Sequence, residues 1–268
     1  MGLYPPNNCI RRSAATVKLA ATISFETSGI SMPANGQFSR VSPRRLSRRL
    51  RGVVAVLFFS AAAIGAAEYG YTRSVTEGLL ANMTSRFGAE ARGRLGGWVE
   101  FGRGETRRPP SAESVPATEG LQRINTFLNR VPYYEDIVHW RVEDYWATPA
   151  ETIASNGGDC EDYAIAKYMM LRELGVPLAR LRMVYVRAGK AAQAHMVLAY
   201  YAQPEAEPLI LDNLEDRVRL ASNRPDLSPV YSFNEEDVVL IASGQHTTPQ
   251  QIRSWRALLD RLNAEALL

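Results

Sequence analysis

Cysteine and histidine are scarce in this sequence of 268 residues, which holds two of the first and three of the second. Two thiols cannot build a disulfide framework. Val53 to Ala67 is apolar for 15 residues, short of the roughly 20 that a spanning helix needs. No Lys/Arg stripe marks a nucleic-acid surface, and no internal repeat or low-complexity segment appears.

What is there divides into two unlike parts. Residues 1 to 67 carry nine Lys or Arg against one acid, Glu26, whereas residues 68 to 268 carry 22 against 27. The overall positive charge therefore belongs to the first part, and the second is acidic. Arg44, Arg45, Arg48, Arg49 and Arg51 precede the apolar run, which ends in small residues. That order is the layout of a secretory signal, with cleavage expected after Ala63 or Ala67 and a retained anchor as the alternative. Met32 is a more sensible start than Met1. The expected organisation is a leader over 1–67 and one domain over 68–268, large enough to bury its own core.

Once the leader is removed Cys9 goes with it, and Cys160 is the only cysteine left. A lone thiol in an oxidising compartment asks for a reason. Its surroundings supply one: N-G-G-D-C-E-D-Y-A-I-A-K-Y-M-M-L-R-E-L, Asn156 to Leu174, puts Cys160 where a turn becomes a helix. Asp159 suits the cap, Ala164, Ala166, Met169, Met170 and Leu174 suit a buried helix, and Gly175 and Pro177 stop it. A thiol at a helix N-terminus meets unpaired N–H groups and the positive end of the macrodipole, which favour thiolate. The competing reading is a small buried hydrophobe.

Before this helix, Glu68 to Gly97 is weakly helical and broken at Gly96 and Gly97, Phe101 to Pro116 reads as an exposed connector, and Thr118 to Arg130 is an amphipathic helix. Tyr133 to Ala147 is aromatic and acidic. After it the period becomes that of strands: Leu181 to Val186, Ala194 to Tyr201 and Pro208 to Leu211, the last two joined as a hairpin. Arg224-Pro225 and Ser228-Pro229 mark an irregular return, and Tyr231 to Ile241 holds a last strand. Thr248-Pro249-Gln250-Gln251 opens a final helix.

A sulfur nucleophile needs a base and a group that orients the base. His139 lies in the aromatic segment and His246 in a polar turn, but His195 opens a strand 35 residues after Cys160. Asp212 follows 17 residues later, at the end of the strand expected to pair with it. In an antiparallel hairpin the start of one strand lies beside the end of the next, so His195 and Asp212 can be neighbours. Against a reactive thiol stand Asp159, Glu161 and Asp162, three carboxylates whose like charge raises its pKa. A cation that neutralises them resolves the conflict, and hard oxygen donors select Ca²⁺.

Trp146 to Pro149 (W-A-T-P), Gly158 to Tyr168, Leu171 to Pro177, Gln193 to Leu198 (Q-A-H-M-V-L), Leu211 to Leu214 (L-D-N-L) and Arg224 to Asn234 together resemble the bacterial transglutaminase-like cysteine proteinases, collinearly from about Leu121 to Leu240. The resemblance implies an α+β, papain-like or transglutaminase-like fold with the nucleophile at a helix N-terminus packed on an antiparallel sheet. It implies catalytic Cys160, His195 and Asp212, and calcium held by Asp159 and Glu161. It further implies a periplasmic protease that cuts the N-terminal region of a large surface adhesin under an inner-membrane receptor for cyclic di-GMP. A monomer or weak dimer is expected. The Cys160 backbone N–H is the expected oxyanion donor, with Trp146 as a candidate second. Acyl transfer to an amine and a catalytically inactive receptor-binding module are the alternatives; a redox sensor is disfavoured because no second cysteine remains.

Overall fold

The computed structural model describes residues 75–107 and 118–268; the leader lies outside the described residues. Helices dominate the first half: α1 Glu77–Phe87, α2 Glu90–Thr106, α3 Thr118–Leu128, the single turn α4 Asp136–His139, α5 Pro149–Ser155 and α6 Cys160–Glu173. An antiparallel sheet follows, with β1 Leu181–Ala188, β2 Gln193–Tyr200, β3 Leu209–Leu211, β4 Arg219–Leu220, β5 Leu227–Phe233, β6 Val238–Leu240 and β7 His246–Thr247. Its order is β4-β3-β2-β1-β5-β6-β7, and α7, Arg253–Glu265, closes the chain. Among the described residues no helix is long and apolar enough to cross a membrane.

The central strands β1 and β2 are buried on both faces, because successive side chains point to opposite sides and both sides are covered. Met183 and Tyr185 of β1, with Met196 and Leu198 of β2, join Ala164, Ile165, Tyr168 and Met169 of α6 in the main core. Val184, Val186, Val197, Ala199 and Ile210 form a second cluster from the alternate positions. Every residue of α6 from Cys160 to Leu171 is buried, so this helix is a central rod and its first residue is fixed in space by the packing of the rest.

Three expectations yield to tertiary packing. Gly96 and Gly97 do not interrupt the second helix, which runs on through Thr106 into the stretch expected to be a connector. Ala91, Leu95 and Trp98 are fully buried along one side, while a Cβ built on Gly93, Gly96, Gly97 or Gly104 meets nothing within 4 Å. Burial of those apolar side chains outweighs a propensity cost of about 1 kcal/mol per glycine. Gly96→Ala combined with Gly97→Ala should therefore stabilise the protein, raising Tm by roughly 3–6 °C in a thermal melt. Secondly, the expected last strand is a hairpin, because β5 already begins at Leu227 and β6 follows the turn at Asn234, whose side chain accepts from the Glu236 and Asp237 N–H groups. Finally, Pro249–Gln251 is a 3-10 turn capped by Thr248, and α7 proper starts at Arg253.

The W-A-T-P segment is fastened at three points. Thr148 and Glu151 form a capping box at the start of α5. The Ala147 N–H donates to Asp162 of α6 at 2.7 Å, and the Thr148 hydroxyl donates to Glu265 of α7 at 2.6 Å. Burial pushes the Glu265 carboxyl up to about 8. An acid that binds its proton more tightly folded than unfolded loses stability as pH rises between its two pKa values, here from 4.5 to about 8. Glu265→Gln, which keeps an acceptor for Thr148, should raise Tm at pH 8 by roughly 4–8 °C and leave it unchanged below pH 4.5.

Candidate active site

The turn that delivers Cys160 is built from small residues because nothing larger fits. Asn156 ends α5 in the left-handed region at φ 58°, a conformation asparagine tolerates. A Cβ on Gly157 would stand 2.6 Å from Cε1 of His139 and 2.7 Å from Cδ2 of Tyr134, and one on Gly158 would stand 2.8 Å from the Asp162 side chain. The Gly158 carbonyl accepts from the Tyr134 N–H at 3.0 Å, so the aromatic segment is bound to the approach of α6. Asp159 is its N-cap residue, and the Asp159 N–H donates to Oδ2 of Asp162 at 3.3 Å.

The register of the sheet decides which groups meet Cys160. Leu198 pairs with Leu211 and Tyr200 with Leu209, so the start of β2 runs beside the chain that leaves β3. Nε2 of His195 lies 2.8 Å from Oδ1 of Asp212, and Cys160 is close enough to the same imidazole to raise its affinity for a proton. Burial lowers the affinity of His195 for a proton, but Asp212 and Cys160 more than offset this and raise it to about 10. For Asp212, burial acts upward, yet His195, the Leu214 N–H and Arg224 hold the carboxyl well below its usual range. The three side chains named from the sequence therefore converge. His139 and His246 go elsewhere: the first stacks on Tyr134 and touches Ser155 at 2.8 Å, and the second is an exposed partner of Asp237.

Arg224 and Lys167 are participants the sequence did not disclose. Arg224, 7 % exposed, donates through Nη2 to Oδ2 of Asp212 at 2.8 Å. Lys167, on α6 and fully buried, has its ammonium pulled down to about 7 by burial and partly restored by Asp212 and Asp216. Trp146 is a poor candidate for the oxyanion, since its indole N–H donates to Asp144 at 3.1 Å.

Carboxylates crowd the other side of the thiol. Sγ of Cys160 lies 3.1 Å from Oε2 of Glu161. Asp159 and Glu161 share with Cys160 a cluster whose candidate ligand atoms are all within 4.8 Å; Asp136, Asp159 and Asp162 form another, and Asp136, Asp144 and Glu161 a third. Asp136, Asp159, Glu161 and Asp162 are at most 2 % exposed. Burial, followed by the charges of Glu161 and Asp136, pushes Asp162 well above the usual carboxylate range. Negative groups this close and this dry are what a divalent cation would neutralise, and the donors are the hard oxygens calcium takes. Asp136 and Asp144 escaped the sequence reading because they lie in the aromatic segment, whose acidic residues were the only signal.

A cleft of about 420 Å³ opens beside this centre, lined by His195, Gln193, Leu214, Arg219, Asn223 and Arg224 among others. It reaches the imidazole. The thiol is 2 % exposed, so a peptide gains the sulfur only when neighbouring side chains give way.

Residues 103–227 match the model of the bacterial transglutaminase-like cysteine proteinase family. No curated protein sequence matches. Among solved structures, EGTA-treated LapG of Legionella pneumophila is 38 % identical, covering 69 % of this chain and 96 % of its own at a TM-score of 0.59. The calcium-bound form of Legionella pneumophila LapG is 37 % identical over 68 % of this chain and 97 % of its own, at a TM-score of 0.56.

Proposed function

We infer that this chain, which belongs to the bacterial transglutaminase-like cysteine proteinases, hydrolyses peptide bonds with Cys160 as nucleophile, His195 as base and Asp212 as the acid that orients the base. The observation that carries the assignment of roles is the 2.8 Å contact of the His195 imidazole with Asp212, with Cys160 acting on the same imidazole; the three come from a helix, a strand and the end of a third element. Because Nε2 of His195 is engaged by Asp212, Nδ1 is the atom left to serve the sulfur.

The thiol proton passes to Nδ1 as sulfur attacks the carbonyl carbon of the scissile bond, giving a tetrahedral oxyanion. When that collapses, the C–N bond breaks and His195 returns the proton to the departing amine, leaving a thioester on Cys160. Water then attacks the thioester carbonyl, His195 takes its proton, and the C–S bond breaks to release acid and free thiol. Asp212 stabilises the imidazolium at each stage without itself changing protonation.

Asp159 and Glu161, joined by Asp136 and Asp144, are the residues that would hold calcium. The ion, when bound, supplies positive charge that offsets the carboxylates beside the sulfur.

The substrate we propose is the N-terminal region of a large secreted adhesin, cut in the periplasm, with an inner-membrane receptor for cyclic di-GMP as the inhibitor. The family resemblance and the leader of residues 1–67 support this reading. Incubation of the purified domain with N-terminal adhesin regions from the same cell, with calcium or with chelator, tests it. A single cut with calcium and the wild-type thiol is the expected result; intact adhesin under both conditions would remove the substrate assignment. Adding the receptor's periplasmic part should stop the cut, and unchanged cleavage would remove the receptor.

A further inference from the structure

Arg224 begins the R-P-D-L segment, to which the peptidase chemistry above gives no task. In the fold this residue leaves the surface. It follows the 3-10 turn Ala221–Asn223 and is 7 % exposed. Its guanidinium is gripped from behind by Asp226, through Nε to Oδ1 at 3.0 Å and Nη2 to Oδ2 at 2.8 Å. The same Nη2 reaches forward to Oδ2 of Asp212 at 2.8 Å. The other oxygen of Asp212, Oδ1, takes the imidazole at 2.8 Å and the Leu214 N–H at 3.0 Å.

A carboxylate held by one oxygen can turn about its Cβ–Cγ bond and offer the imidazole either lone-pair direction. One held by both oxygens has a fixed plane. We propose that Arg224 is a positioning residue for the reaction: held by Asp226, it anchors Oδ2 of Asp212 and so fixes the direction from which Oδ1 meets His195. The inference rests on the assignment of Cys160, His195 and Asp212 given above. If the guanidinium only stapled the loop after β4 to the end of β3, its loss would cost stability and leave the sulfur as reactive as before.

The test compares iodoacetamide alkylation of Cys160, followed by mass spectrometry, with thermal unfolding of the same calcium-supplemented samples. Arg224→Gln should slow alkylation by about tenfold or more, the scale on which loss of a partner behind a reacting group is felt. Arg224→Lys, which keeps a cation but not the fork, should recover part of that rate. Arg224→Ala should be accelerated by millimolar methylguanidinium, which can enter through the cleft that Arg224 lines. Should Arg224→Gln fail to fold, Asp226→Asn decides, because the Asp226 side chain is 48 % exposed and its loss frees the guanidinium without burying a charge. That variant should slow alkylation severalfold with little change in Tm. Alkylation at the wild-type rate in folded Arg224→Gln, or in Asp226→Asn, overturns the proposal. His195→Ala separates the two readings. If it slows alkylation and the Arg224 and Asp226 variants do not, only the positioning role fails; if it too leaves the rate unchanged, the assignment of the nucleophilic centre fails with it.

Discussion

Cys160→Ser should abolish peptide cleavage, and His195→Ala should come close, each by a factor of about 10⁴ or more. The serine hydroxyl is far less acidic than a thiol, so an imidazole that takes the thiol proton during attack takes the alcohol's far less readily. Loss of His195 removes both the proton acceptor for the sulfur and the donor for the leaving amine. The two variants need not unfold: serine is nearly isosteric with cysteine, and the start of α6 is fixed by Gly157, Gly158 and the Asp162 contacts to Asp159 and Ala147. Cleavage of an adhesin region, followed by mass spectrometry, gives the rate, and circular dichroism checks the fold. Wild-type turnover by folded Cys160→Ser would dismiss the nucleophile.

Removal of calcium should have the second largest effect. With chelator, Asp136, Asp159, Glu161 and Asp162 confront one another and the sulfur at close range with little water to screen them. Some take up protons, as the upward displacement of Asp162 indicates, and the thiolate loses its support. Activity should fall to background and return when calcium is restored. Tm should fall too: a ligand at a hundredfold excess over its Kd stabilises by about 2.7 kcal/mol, worth roughly 5–11 °C in a domain of this size. Asp136→Asn and Asp144→Asn should each raise the calcium concentration needed for half-maximal activity, although both lie well before the nucleophile in sequence. Activity and Tm indifferent to chelator would exclude the ion.

The sequence singled out its candidate residues through scarcity. One cysteine at the junction of a glycine turn and an apolar helix, followed by a histidine and an aspartate at the ends of two short β-rich runs, left few other ways to build a nucleophile, and the register of β2 on β3 brings them together as an antiparallel hairpin must. These features are local, and local rules read them: capping, periodicity, the preference of glycine for crowded turns. The same rules misread the second helix, where Gly96 and Gly97 face open space and the buried side of Leu95 and Trp98 decides the conformation.

Local patterning thus determined the helix that begins at Cys160 and the sheet that faces it, and singled out Cys160, His195 and Asp212 as the side chains to follow. Only the tertiary structure decided what stands behind them. Asp136 and Asp144 join the carboxylates around Cys160 because the Tyr134 N–H is bound to Gly158, and Arg224 reaches Asp212 because the chain between β4 and β5 returns past the turn joining β1 and β2, where the Gly189 N–H donates to the Asp226 carbonyl. Contacts between residues far apart in the chain leave no period and no spacing to read; they exist only once long-range packing has chosen which segments touch.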